Sequence, residues 1–251
     1  MKKIILIGSE GVLGKHYSLK LQSTASFLAL GDIRIKKQFI NNRIIKKNLD
    51  LKSEKNIERF FIDIKKKFGK FDILINNGAL TTEGMKKMKT KKSNKDEFNV
   101  DNWKKTLDIN LTGTFLSIKY FLKHHLNKDV TQKIINIGSI YGVVSPHHEI
   151  YKNQNFSSSI GYTASKSGLI GMTKWLSTKY SSKRVICNII SPSGVYNNQK
   201  KNFLKDYEKL LPYKRMAKPD EIYGALKFLI SEESNYVTGQ NIIVDGGFSA
   251  W

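Results

Sequence analysis

The stretch Lys3-Ile4-Ile5-Leu6-Ile7-Gly8-Ser9-Glu10-Gly11-Val12-Leu13-Gly14 decides how this 251-residue chain is read. Its apolar run has the length and continuity of a strand covered on both faces. Three glycines at three-residue intervals follow at once. The first position suits a sharp turn, the second a close approach of backbone amides to a bound group, and the third tight packing of a helix on the sheet. A helix starting there would offer unpaired N–H groups and the positive end of its dipole to a phosphate. Gly8, Ser9, Gly11, Val12, Leu13 and Gly14 are therefore candidate contacts of a dinucleotide pyrophosphate. Taken alone, such a triplet also fits a turn that merely joins strand to helix.

Asp32 adds to the reading, because it ends the second strand candidate 24 residues after Gly8. A carboxylate there accepts the hydrogen bonds of an adenosine ribose and repels a 2′-phosphate, which favours NAD over NADP. Arg34, Lys36 and Lys37 follow and soften that repulsion.

Further along, short apolar runs alternate with amphipathic stretches. Strands are predicted at 3–7, 27–31, 44–47, 71–75, 133–138, 185–190 and 242–244. Helices are predicted at 11–23, 53–68, 102–125, 162–180 and 220–229, where apolar residues recur at three-and-four spacing. The 32–43 gap is too short for a crossover helix and predicts a stub or loop, and 80–101, 141–161 and 191–219 read as irregular. Alternation of this kind predicts an α/β chain with right-handed crossovers, a doubly wound, mostly parallel seven-stranded sheet and helices on both faces. With no repeat, no linker and four prolines, residues 1–251 read as one domain.

A second segment carries chemistry. In Tyr162-Thr163-Ala164-Ser165-Lys166 the i, i+4 spacing puts a phenol and an ammonium on one helix face. A phenol titrates near 10 in isolation, and Lys166, aided by the charge of an oxidised nicotinamide, would lower it toward neutrality. Ser139 follows the strand candidate at 133–138, where a hydroxyl is placed to bond a substrate carbonyl, and Asn110 sits inside a helix candidate, where asparagine is a poor filler. An amide there would hold a water relaying protons to Lys166.

Composition narrows the alternatives. The formal charge is +22, carried by 38 lysines and only 5 arginines. Arginine is the usual fork for phosphates and base edges, and the lysines are spread along the chain, so the charge does not argue for nucleic-acid binding. One dense run, 86–95, holds six lysines and either attracts an anionic substrate or is a solvated loop. Cys187 is the sole cysteine, which suits a reducing compartment. The first apolar run, Ile4 to Ile7, is shorter than the roughly 7–15 residues of a signal-peptide core, and no stretch approaches the roughly 20 of a membrane span. A cytoplasmic protein without membrane contact is expected. His147 and His148 lack a third ligand at sensible spacing, so no metal is expected.

Taken together, these motifs resemble the classical short-chain dehydrogenase/reductase family from end to end. The resemblance implies a Rossmann fold, a nicotinamide cofactor, and catalysis by Asn110, Ser139, Tyr162 and Lys166. In that scheme Tyr162 exchanges a proton with the substrate oxygen, Lys166 holds the nicotinamide ribose and lowers the tyrosine pKa, Ser139 polarises the carbonyl, and Asn110 anchors the proton relay. It further implies that Asp50 and Leu51 contact adenine, that Asn77 and Gly78 belong to the sheet-supporting turn, and that Pro192, Gly194 and Val195 line the nicotinamide. Homodimers or homotetramers packed through the helices near Asn102 and Tyr162 are implied as well, with Phe115, Trp175 and Leu176 facing either a partner or the core. The glycine spacing departs from the classical pattern, Gly78-Ala79 reverses the family's order, Ser193 stands where a glycine is usual, and Ser139 and Tyr162 are 23 positions apart, about ten more than the family has. The added loop, 146–159, should overhang the pocket, and its polarity suits a hydroxylated substrate. That loop, the 191–199 segment and the C-terminal Gly246-Gly247-Phe248-Ser249-Ala250-Trp251 are similar to the flagellin-modification and legionaminic-acid-pathway oxidoreductases. The implied substrate is a sugar or sugar phosphate; a 3-oxoacyl reductase and a cofactor-binding protein without turnover stay open.

Overall fold

The structure, a computed structural model, describes residues 1–81, 98–152, 154 and 157–251. Its strands are β1 (Lys2–Ile7), β2 (Ala25–Asp32), β3 (Phe39–Ile40), β4 (Ile44–Asn48), β5 (Ile73–Asn76), β6 (Gln132–Ile137), β7 (Val185–Pro192) and β8 (Asn241–Val244). Among the described residues they form one sheet in the order β3-β4-β2-β1-β5-β6-β7-β8. Every pairing is parallel except β3 on β4. The chain departs from β1 in both directions, so the switch point lies between β1 and β5, and a ligand crevice is expected at their carboxyl ends.

The helices are α1 (Val12–Gln22), α2 (Glu54–Phe68), α3 (Val100–Leu107), α4 (Gly113–His125), α5 (Ile160–Tyr180), α6 (Lys201–Lys209) and α7 (Pro219–Ile230). In α2 the apolar positions Ile57, Phe60, Phe61, Ile64 and Phe68 recur at helical spacing and are buried, the Ser53 side chain accepts from the Asn56 N–H, and Gly69, at φ 75°, ends the helix. These residues join Ile118, Phe121 and Leu176 in the core on one face of the sheet. On the other face Tyr17 and Leu21 from α1 and Ile222, Leu226 and Leu229 from α7 cover Leu6, Leu30 and Ile135. Helices on both faces explain why the strands read as continuous apolar runs.

Three differences from the sequence expectation have physical causes. The sheet has eight strands, because Phe39 and Ile40 from the presumed loop pair antiparallel with Lys46 and Ile45 and cover the sheet edge. The helix expected at 102–125 starts at Val100 and is broken by a π-helical turn, Asp108–Thr112, that carries Asn110. Helix α6 occupies part of the stretch read as irregular, with Phe203 and Tyr207 buried at i, i+4 spacing. No helix among the described residues is long and apolar enough to cross a membrane.

Candidate active site

The glycine loop and the turn after β5 meet at the switch point. Gly8 has φ 80°, and a side-chain carbon on it would lie 2.4 Å from the Gly78 N. The same carbon on Gly14 would lie 2.0 Å from the Gly8 carbonyl oxygen, so both glycines are required by the fold. Asn77 locks the contact, its Nδ2 donating to the Gly8 carbonyl at 2.8 Å. Gly11 differs: a carbon added there would meet nothing closer than 3.6 Å and would fill the space beside Arg34 and Asn77. Gly11 is also the N-cap of α1, which has no side-chain cap and no acidic residue in its first turn. The N–H groups of Val12 and Leu13 at this helix start have no intrahelical acceptor. Beside them Ser9 is wholly buried, its hydroxyl without a hydrogen-bond partner among the described residues. An open cradle, free donors and an orphaned hydroxyl fit a pyrophosphate.

At the ribose position Asp32 ends β2 and is 5% exposed. Its Oδ2 accepts from the Glu10 N–H at 3.0 Å and from Arg34 Nη2 at 2.9 Å; its Oδ1 accepts from the Arg34 N–H and Nε, each at 2.9 Å. Burial pushes this carboxyl up, but the Arg34 guanidinium and the two backbone donors outweigh it and hold it below the usual range. Arg34 thus occupies the carboxylate expected to meet the ribose, a coupling that proximity in sequence suggested only as softened repulsion. Asp50 follows β4, its Oδ1 accepting from the Lys52 N–H, and Leu51 packs against Gly78 and Gly113.

Ser139, Tyr162 and Lys166 converge. Ser139, 8% exposed, sits just past β6 and accepts from the Tyr141 N–H. Tyr162 lies in the first turn of α5, where the Ser159 side chain accepts from its N–H at 3.2 Å. Lys166 is 3% exposed; its Nζ donates to the Ile137 carbonyl at 2.7 Å and stands 5.6 Å from the Tyr162 ring centroid. Burial raises the Tyr162 phenol, with the Ser139 hydroxyl pulling partly the other way, and brings Lys166 down to about 8. In the protein by itself desolvation outweighs the lysine, which is engaged by a strand carbonyl; the expected lowering of the phenol draws also on the charge of an oxidised nicotinamide.

Asn110 is placed differently from its expected relay role. It is 1% exposed, its Oδ1 accepts from the Leu80 N–H at 2.6 Å, and its Nδ2 donates to the Leu80 carbonyl at 3.1 Å and to Ser165 Oγ at 3.2 Å. The side chain pins the segment after β5 to α5, because the π-helical turn aims it at Leu80.

Pro192 ends β7. Past it, a carbon added to Gly194 would lie 2.8 Å from the Tyr207 ring, and the Gly194 N–H donates to Tyr207 Oη at 2.7 Å. Val195 bridges to Ala217. A cavity of about 500 Å³ opens between these segments, lined among others by Ser139, Tyr141, Tyr151, Tyr162, Ser193 and Tyr207. The 146–159 loop does reach it, through Tyr151, Gln154, Ser157 and Ser158, while residues 153, 155 and 156 lie outside those described. Ile150 of this loop packs with Phe203, Tyr207, Leu211 and Met216 in a third apolar cluster, so the insertion is anchored. Tyr141 Oη and Tyr151 Oη are 2.9 Å apart, and burial raises both phenols, which keeps them neutral hydrogen-bonding groups.

The sequence reading missed Tyr141, Lys200, Phe203, Tyr207 and Met216 as cavity residues, although the apolar spacing of Phe203, Leu204 and Tyr207 signalled a helix. The lysine run at 86–95 lies outside the described residues. Among those described, no group of three or more His, Cys, Asp or Glu residues could hold a metal ion.

Comparison with known proteins agrees with this geometry. The family model described as Enoyl-(Acyl carrier protein) reductase matches residues 33–249. The 3-oxoacyl-[acyl-carrier-protein] reductase of Buchnera aphidicola subsp. Schizaphis graminum is 31% identical, over 98% of this chain and 96% of that protein. The post-translational flagellin modification protein A of Campylobacter coli is 28% identical, over 98% of each chain. A short chain dehydrogenase from Leptospira borgpetersenii, solved with bound NAD+, superposes with a TM-score of 0.85 at 30% identity, over 99% of this chain and 93% of that one. Matched in sequence and fold along nearly its whole length, the chain belongs to the short-chain dehydrogenase/reductase family of NAD(P)-dependent oxidoreductases.

Proposed function

We propose that the protein interconverts a carbonyl and a secondary alcohol on a sugar or sugar phosphate, with residues 1–251 acting as one NAD(H)-binding domain. The observation that carries this reading is the convergence of Ser139, Tyr162 and Lys166 beside a cavity walled by phenols, hydroxyls and amides. The bound dinucleotide would supply hydride exchange at its nicotinamide ring. Gly8, Ser9, Gly11, Val12, Leu13 and Gly14 would hold its pyrophosphate, Asp32 its adenosine ribose, and Asp50, Leu51, Asn77 and Gly78 the adenine side. Pro192, Gly194 and Val195 would flank the nicotinamide end.

The chain's own groups then handle the proton. Tyr162 Oη, protonated at neutral pH because burial raises its pKa, donates to the substrate oxygen in reduction and takes the proton back in oxidation. Ser139 Oγ donates a hydrogen bond to the same oxygen and polarises it. Lys166 Nζ keeps a positive charge beneath the phenol and stabilises the phenolate left behind. Asn110 acts as a positioning residue, fixing Leu80 and α5.

The hydroxyl and amide groups that interrupt a largely aromatic and apolar lining, together with the flagellin-modification relative, support a carbohydrate substrate in surface-glycan synthesis. A 3-oxoacyl substrate is the second reading, favoured by the Buchnera relative and by the apolar side chains of Phe203 and Met216 in the lining. Assaying keto-sugars against 3-oxoacyl thioesters, with NADH and NADPH separately, separates the two. Turnover of keto-sugars with NADH is expected; turnover confined to thioesters would reject the carbohydrate reading. The single cysteine is buried and free, which fits a reducing cytoplasm. Phe115 and Trp175 are exposed whereas Leu176 is buried, and pairing of two copies through α4 and α5 would cover the first two.

A further inference from the structure

Charge around the cavity is one-sided. Among the described residues that line it, only Lys200 carries a charge, and none is a carboxylate. Lys200 is exposed and, like most of the chain's lysines, makes no ion pair among the described residues; what sets it apart is its place in the cavity wall. It caps α6 through its backbone, and Lys201 follows in a first turn that holds no acidic residue. A cation at a helix start opposes the helix dipole and costs stability, so stability does not account for its position.

The loop that presents Lys200 is closed on itself. Gln199 Oε1 accepts from the Asn197 N–H at 2.7 Å, and Gln199 Nε2 donates to the Val195 carbonyl at 2.9 Å. Between them Asn198, another lining residue, has φ 55°, the left-handed conformation that asparagine tolerates. The inserted loop lines the same cavity, and there Ser158 Oγ is buried without a hydrogen-bond partner among the described residues. The cavity thus holds a free cation on a braced loop and an unsatisfied hydroxyl.

We propose that Lys200 is a specificity-determining residue that holds an anionic group, phosphate or carboxylate, at the end of the substrate remote from the reacting carbonyl. The substrate class is then an anionic, hydroxyl-rich carbonyl compound. This rests on the cavity being the substrate site.

The test is calorimetric binding of D-glucose, D-glucose 6-phosphate and D-gluconate to the whole protein under saturating NADH, which keeps the probes out of the nucleotide cradle. Wild type should bind one or both anionic probes at least about tenfold more tightly than glucose, the worth of one charge-assisted hydrogen bond. The phosphate and carboxylate arms tell the two anions apart. The preference should vanish in Lys200→Gln and persist in Lys200→Arg. Equal affinity for all three probes in wild type, or a preference that survives Lys200→Gln, overturns the proposal. An intact, Lys200-dependent preference in a protein that turns over no carbonyl compound would keep the anion site and reject the catalytic reading.

Discussion

Arg34 closes a two-pronged fork on Asp32, with Nε–Oδ1 and Nη2–Oδ2 both at 2.9 Å. The carboxylate is buried while the guanidinium is largely exposed, so the partner that can leave is Arg34. Freed, Asp32 would offer both oxygens to ribose hydroxyls in the proposed cofactor site, and the released guanidinium would meet a 2′-phosphate. Arg34→Ala should therefore tighten NADH binding and weaken NADPH binding, widening their ratio by about tenfold or more. Fluorescence titration of both nucleotides checks this. An equal change for the two would mean that the fork does not set the preference.

Gly14 and Gly11 of the loop should separate fold from function. Gly14→Ala drives a carbon to 2.0 Å from a backbone oxygen and should cost about 3 kcal/mol or more. Gly11→Ala meets only ordinary contacts and should cost about 1 kcal/mol, mainly as a poorer N-cap, yet weaken NADH binding by filling the cradle. Urea denaturation combined with nucleotide titration reads both, and a stable Gly14→Ala would contradict the packing account.

The rate should depend on pH in opposite senses for the two directions. Burial raises Tyr162, so the phenol is protonated through neutral pH and, in the proposed role of proton donor, should keep reduction flat from about pH 6 to 7.5. Above about 8 Lys166 loses its proton, and reduction should fall. Oxidation needs phenolate and should still be rising where reduction is level. Profiles of kcat/KM in both directions test the pattern; a reduction rate that climbs through pH 9 would contradict it.

His125 makes the fold acid-sensitive. It is wholly buried against Phe61, Phe71 and Phe121, its Nδ1 accepts from the Phe71 N–H, and burial brings it down to about 3 from 6.5. The unfolded chain takes up this proton below 6.5 and the folded chain does not, so stability is lost as pH falls through that window. Between pH 7 and 5 the loss should be about 2 kcal/mol. Replacing His125 with Gln should flatten that dependence, as urea midpoints at the two pH values would record. An unaltered slope would assign the acid sensitivity elsewhere.

Much of this architecture was legible because it follows from local periodicity. Buried parallel strands read as apolar runs, and the Tyr162–Lys166 spacing and the place of Ser139 after a strand survive whatever packs around them. What was not legible depends on contacts far apart in the sequence. Ile150 meets Phe203 only in three dimensions, so the anchoring of the inserted loop left no local signal. Helix α6 went unread although Phe203, Leu204 and Tyr207 fall at helical spacing, because charged residues surround these few apolar positions. The direction of the Asn110 amide depends on a π-helical turn that residue types do not announce, and the raised Tyr162 pKa on a degree of burial that spacing alone does not give.

The central claim is that the Tyr162 hydroxyl supplies the proton at a site whose other parts bind without it. Single-turnover oxidation of bound NADH by a keto-sugar substrate in Tyr162→Phe, with NADH affinity measured on the same sample, tests it most directly. The account predicts NADH affinity within about twofold of wild type and hydride transfer slowed on the order of a thousandfold. Hydride transfer at the wild-type rate in that variant would contradict it.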